Sequence, residues 1–200
     1  MKKFLYSLIA LMAMSFTFVA CEQQPKEPEE PAVESNCEIY SAQYIEYEEG
    51  AVYVFEVLSD GLEANAQGNG LVGSGDYCII MLYAQAQEDG FPKAKTYNVI
   101  TEEDWTEDDT EFVAGGTVDS SAQPDGTFAY VIENGEGVDG LLCQGGTMKV
   151  EGNATKGTMI ANFEFMNSKG QIIEKEFIYS GKFNMEEVTV NAPRKIQINK

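Results

Sequence analysis

Residues 157–166 read GTMIANFEFM, and the alternation within them decides the fold. Met159, Ala161, Phe163 and Phe165 share one parity while Asn162 and Glu164 share the other. A period of two is that of a β-strand with one buried and one wetted face. AVYVFEVLS (51–59) repeats it, with Tyr53, Phe55 and Val57 set against Val54 and Glu56. Working outward, EIYSAQYIEYE (38–48), YCIIMLYAQ (77–85), AKTYNVI (94–100), EFVAGGTV (111–118), GTFAYVIEN (126–134), GTMKVEG (146–152) and IIEKEFIYSG (172–181) have the same Val, Ile, Tyr, Phe and Thr richness, which makes nine candidate strands. Between them stand turn sequences that join antiparallel neighbours: Glu49-Gly50, Asp60-Gly61, Pro124-Asp125-Gly126, Glu151-Gly152-Asn153 and Asn167-Ser168-Lys169-Gly170. No stretch beyond residue 37 holds a helical period for three turns. The expectation is a single all-β domain over residues 37–200, an antiparallel meander forming a sandwich or barrel.

The chain opens differently. MKKFLYSLIALMAMSFTFVA (1–20) has a basic head at Lys2 and Lys3 and an uncharged run to Ala20, the layout of a secretory signal peptide. Phe18-Val19-Ala20-Cys21 resembles the lipobox at which bacterial lipoproteins are cleaved and lipidated, with Phe18 where leucine is usual. That resemblance implies a diacylglyceryl group on the Cys21 sulfur and an acyl chain on its amino group, two or three chains that together anchor a protein stably. Residues 21–36 continue with Pro25, Pro28 and Pro31 and a glutamate-rich sequence that cannot bury enough apolar surface to fold, so a flexible acidic tether is expected. In the lipoproteins that this resembles, acidic residues after the lipidated cysteine direct export to the cell surface, a role for Glu22, Glu27, Glu29 and Glu30 here; an outer-membrane anchor facing the periplasm is the alternative.

The last third resembles the closing meander of small lipoproteins of the Bacteroidota type, in which a Gly-Thr-hydrophobic strand, a strand of alternating aromatics, a Gly-bearing turn and a Tyr-x-Gly strand follow one another. Gly146, Thr147, Gly170, Tyr179 and Gly181 carry the match, and GFPKAKTYNVI (90–100) extends it more loosely. These are turn and core residues, so the resemblance implies a fold and an envelope location but no reaction.

Charge narrows the partners. The formal net charge is −20, and because two of the 13 basic residues and none of the 33 acidic ones precede Cys21, loss of residues 1–20 leaves −22. Such a surface repels nucleic acid, anionic lipid headgroups and acidic polysaccharides. Cys37, Cys78 and Cys143 remain after lipidation of Cys21, an odd set without metal-ligand spacing; Cys78, inside an apolar run, reads as a buried free thiol.

GNGLVG (68–73) fits G-x-G-x-x-G, but the run that follows it, DYCIIMLY, is a strand, whereas a dinucleotide fold needs a helix there to hold the pyrophosphate. A hairpin loop over LEANAQGNGLVGSG is the better reading. The chain has no histidine, which removes the commonest general base and every imidazole-dependent nucleophile or zinc site. No catalytic residue, metal site or cofactor is assigned, and a non-enzymatic role is expected. TEEDWTEDDTEF (101–112) holds the single tryptophan, Trp105. Asp104, Asp108, Asp109 and Glu111 offer oxygen ligands without the order of a calcium loop, Trp105 offers a stacking platform for a neutral sugar or a peptide, and the default is a solvated loop with the indole folded over the core. Trp105 is therefore the one candidate ligand-binding residue.

Three roles lead for an envelope protein held to the membrane by lipid on Cys21: a β domain binding a neutral glycan or a protein partner, a structural or assembly component, and a lipocalin-like small-molecule carrier; a hydrolase acting through paired carboxylates comes last. The assembly role draws on MEEVTVNAPRKIQINK (185–200), where Val188 and Val190, then Ile196 and Ile198, alternate like edge strands beside Arg194 and Lys195. The carrier role draws on YCIIMLYAQ, apolar on both parities, which two-sided burial in a sandwich explains as well.

Overall fold

The computed structural model describes residues 33–68 and 70–188; the signal, Cys21, most of the tether, and Val190 to Lys200 lie outside the described residues. The chain folds as an all-β domain. Its strands are β1 (Cys37–Tyr47), β2 (Gly50–Ser59), β3 (Leu62–Ala64), β4 (Leu71–Gly73), β5 (Gly75–Ala84), β6 (Lys95–Ile100), β7 (Phe112–Ala114), β8 (Thr117–Val118), β9 (Pro124–Asp125), β10 (Phe128–Glu133), β11 (Glu136–Asn153), β12 (Lys156–Asn167), β13 (Ile172–Gly181) and β14 (Met185–Glu187).

The main sheet runs β13-β12-β11-β6-β7-β5-β2-β1-β14, and β10 pairs with both β11 and β5. The pairings β5-β10-β11-β6-β7 therefore close on themselves, a five-strand barrel core to which the remaining strands are added. The outer strands curl until β1 and β13 meet. There Asn36 N–H donates to Ile178 O at 2.9 Å, Ile178 N–H to Asn36 Oδ1 at 2.7 Å, Asn36 Nδ2 to Glu176 O at 3.1 Å and Ser180 N–H to Ser35 Oγ at 2.9 Å. On the other half of that edge β14 lies parallel to β1, Met185 opposite Ala42, and Val188 N–H reaches Tyr44 O. Met185–Val188 thus pair within their own chain and cover the β1 edge from Ala42 to Tyr44.

The alternation in β2 and β12 is realised as read: Tyr53, Phe55 and Val57, and Met159, Ala161, Phe163 and Phe165, are all buried in one core. β5 alternates too. Cys78, Ile80, Leu82 and Ala84 are fully buried and the intervening residues half-buried, so the run apolar on both parities has a core face and a covered outer face. The interior is filled by large side chains, among them Tyr53, Tyr97, Phe55, Phe91, Phe163, Phe165 and Phe177. At about 1.5–3 kcal/mol for each large apolar side chain buried, this core drives folding.

Three features differ from the expectation. GTMKVEG is only the end of β11, an 18-residue strand; Gly137, Gly140 and Gly145 lower the β-propensity of the part before it, and the register shifts between Cys143 and Gly145. The expected strand EFVAGGTV breaks at Gly115-Gly116, where the chain crosses its neighbours so closely that a Cβ on Gly116 would lie 2.4 Å from Thr127 O and 2.6 Å from Cys143 N. Pro124-Asp125, read as a turn, pairs with β8 as β9. Within the otherwise antiparallel sheet, the pairs β6/β7 and β1/β14 are parallel. The first of these needs a long connection to return the chain to the starting end of β6, and residues 101–111 supply it.

Lys175, opposite the buried Phe163, shares its inward parity and pairs with Asp76 Oδ2 at 2.7 Å. β13 does not pair with β5, so this ion pair ties an outer strand to a barrel strand that is not its neighbour in the sheet.

Candidate functional site

Cys21 lies outside the described residues. Trp105 sits in the β6–β7 connection, 38% exposed and part of neither buried cluster. The acidic residues around it serve the loop's own backbone and neighbours. Thr101 Oγ1 donates to Asp104 Oδ2 at 2.8 Å, Thr106 N–H and Oγ1 donate to Asp109 Oδ2, and Glu111 is paired with Lys95 at 2.7 Å. The Lys95 hydrogen bond holds the Glu111 carboxyl below the usual carboxylate range. Among the described residues no group of three or more acids and thiols is placed to hold a metal. Cys37, Cys78 and Cys143 are buried free thiols, and burial pushes Cys37 and Cys143 up to about 12.

Leu71–Gly73, the apolar end of the glycine-rich motif, forms β4 and pairs with β3, so the motif's described residues belong to a hairpin between β2 and β5. Asn65 shapes its tip: Asn65 N–H donates to Gly70 O, Gly68 N–H to Asn65 O and Gln67 N–H to Asn65 Oδ1. The hairpin folds over the outer face of the barrel and is held by a second, smaller apolar cluster of Leu58, Leu62 and Ile132 with Leu71, Tyr77 and Tyr130.

A shallow cleft of about 170 Å³, open to solvent, lies against this hairpin, lined by Tyr40, Glu56, Ala64, Gly68, Gly70, Leu71 and Tyr77. Its geometry follows from strand parity and one irregularity. Glu56, between the buried Phe55 and Val57, and Tyr77, beside the buried Cys78, point outward. On β1, Ile39 is opposite Val57 and Ser41 opposite Glu56, so Tyr40 is an extra residue, a β-bulge. Bulges re-aim side chains and are frequent beside functional sites. Here the bulge puts Tyr40 and Ser41 together on the outer face, and Tyr40 is 49% exposed. Tyr77 Oη donates to Glu56 Oε2 at 2.6 Å. Burial, that hydrogen bond and the nearby Glu56 and Tyr40 groups raise the Tyr77 phenol well above its ordinary value, so it keeps its proton on this bond. Trp105 does not line the cleft.

A second groove, about 470 Å³ and open to solvent, runs along β11, β12 and β13 past Thr147, Asn162, Glu164, Glu174, Lys175 and Glu176. It is polar and acidic and has no aromatic side chain but Phe163, which is buried.

Tyr40, Glu56 and Tyr77 were not singled out by sequence reasoning. Two signals were present: the fourteen-residue loop LEANAQGNGLVGSG carries Leu62 and Leu71, apolar residues that need a surface to cover, and β1 has inward-facing Ile39 and Ala42 at an odd spacing. No family model, curated protein or solved structure matches the chain.

Proposed function

We propose that the chain is a lipid-anchored envelope protein, displayed at the outer-membrane surface through Cys21 and an acidic spacer, whose β domain binds a glycan or a protein partner without transforming it. The observation that carries this reading is the Tyr40–Glu56–Tyr77 cleft. An aromatic side chain is held exposed by a backbone bulge next to a carboxylate already oriented by a hydrogen bond, under a hairpin with its own small core. Preoriented groups of this kind lower the ordering cost of binding. The packed aromatic interior favours recognition on the outer face over carriage within the barrel. The absence of histidine from the sequence and the upward shift of the buried thiols favour binding over covalent chemistry at neutral pH.

The test is to display the full chain on cells and probe arrays of neutral glycans and envelope-derived peptides. Tyr40→Ala, an exposed substitution, should abolish retention of the bound class while surface display is unchanged. Retention that survives Tyr40→Ala and is lost in Trp105→Ala would move the site to the β6–β7 loop and overturn the cleft assignment.

A further inference from the structure

Resting on the cleft reading above, we infer that the Tyr40–Glu56–Tyr77 cleft receives a primary ammonium on an unbranched aliphatic stem, that is, a lysine side chain presented by a protein or peptide partner. The first step is a count of donors and acceptors. Tyr77 has one hydroxyl proton, and it is committed to Glu56 Oε2. The Tyr77 oxygen therefore turns only lone pairs to a ligand, and a carboxylate has nothing but acceptors to add. Glu56 Oε1 has no hydrogen-bond partner among the described residues, and Tyr40 supplies a further hydroxyl oxygen close enough to Tyr77 to raise its phenol. Acceptors at this polar end outnumber its one uncommitted donor, the Tyr40 hydroxyl, so a ligand that fills it has to bring donors, and an ammonium brings three with no acceptor.

Size and shape select next. About 170 Å³ lies below the roughly 300–1,000 Å³ of sites that engulf a whole small molecule. It suits one side chain better than a run of sugar rings. Ala64, Leu71 and the side-chain-free Gly68 and Gly70 line the remainder, a wall against which methylenes can lie while the charged head meets the oxygens. Charge agrees, because a chain of net charge −20 draws cations toward its surface and repels anionic partners.

The same hydrogen bond discriminates between the two basic side chains. A guanidinium gains its advantage from a two-pronged bond to both oxygens of a carboxylate. With Oε2 already accepting from Tyr77, only Glu56 Oε1 keeps both lone pairs free, which suits a compact ammonium better than a guanidinium that needs both oxygens alike. Tyr77 thus acts as a specificity-determining residue through Glu56.

Saturation-transfer NMR on the detergent-solubilised full chain tests this with four probes: Nα-acetyl-lysine amide, its Nε-acetyl derivative, Nα-acetyl-arginine amide and maltotriose. Lysine amide is expected to bind, with Nε-acetylation and Glu56→Gln each weakening it by at least about tenfold, as loss of a charged hydrogen bond implies. Tyr77→Phe keeps the ring in the small cluster but releases Oε2, and should shift preference toward arginine. Equal binding of the Nε-acetyl derivative, wild-type preference for arginine, or indifference to Glu56→Gln would each overturn the inference. If maltotriose binds in a Tyr40-dependent way and lysine amide does not, the ammonium inference falls while the cleft stands. If no probe responds to Tyr40→Ala, both fall.

Discussion

Raising the pH should unfold this domain through its thiols well before its backbone is otherwise strained. Cys37 is 3% exposed and Cys143 fully buried, and burial pushes each from 9.0 up to about 12; Cys78, also fully buried, is raised as well. A folded-state value above the unfolded one favours the native state fully below pH 9, and that contribution is lost as pH rises toward 12. For one such thiol the loss is roughly 1 kcal/mol at pH 10 and roughly 3 kcal/mol at pH 11. Cys37 and Cys143 together then remove on the order of 5 kcal/mol at pH 11, comparable with the ~5–15 kcal/mol by which domains of this kind are stable. Buried Tyr53 and Tyr97 are raised too and act in the same direction above pH 10. The assay is urea denaturation at pH 8, 9, 10 and 10.5 in the Cys21→Ala chain, with thiol titration by an aromatic disulfide in native buffer and in denaturant. The midpoint should fall steeply above pH 9, and the thiols should react at pH 8 only once the chain is unfolded. A midpoint flat to pH 10.5, or native thiols reacting at the rate of an exposed cysteine, would refute the reasoning.

Other expectations follow from the anchor and the core. Cys21→Ala should leave an uncleaved precursor that takes up no labelled palmitate; wild-type labelling would remove the lipoprotein proposal. Phe165→Ala empties a fully buried site on β12 and should destabilise by about 3–5 kcal/mol in urea melts. Gly116→Ala sets a methyl against Thr127 O and Cys143 N, two backbone atoms that cannot swing away, and should cost at least ~1–3 kcal/mol, measured the same way.

Parity made β2 and β12 legible, because each has both a clean alternation and a turn at its end: Asn167 Oδ1 accepts from Lys169 N–H and Gln171 N–H where the hairpin to β13 was expected. β11 was largely hidden, since three glycines remove the side chains by which a strand is recognised while leaving the backbone free to pair. Which strands pair in parallel is a property of long-range closure and leaves no local mark. The site was less legible than the fold. Trp105 drew attention by being unique, yet a unique residue need not lie where groups converge. Tyr40, Glu56 and Tyr77 are ordinary strand residues, 37 positions apart from first to last, and they converge only through a bulge and an overfolded hairpin.

The seam between β1 and β13 has a mechanical meaning. A pull on the N-terminal side of the chain enters the barrel at Ser35 and Asn36, and Asn36 bonds three ways to Ile178 and Glu176 while its own carbonyl accepts from Asp60 N–H at 3.1 Å. Tension is thereby divided between the outer strand β13 and the corner after β2, instead of peeling β1 from its end. Should these few bonds yield, the first residue uncovered is the buried Cys37, whose thiol donates to Ile178 O at 3.2 Å, and β1 and β13 part while the five-strand barrel stays closed. Asn36 is the pin on which resistance to that force turns, although nothing in its surroundings marks it as part of a binding site.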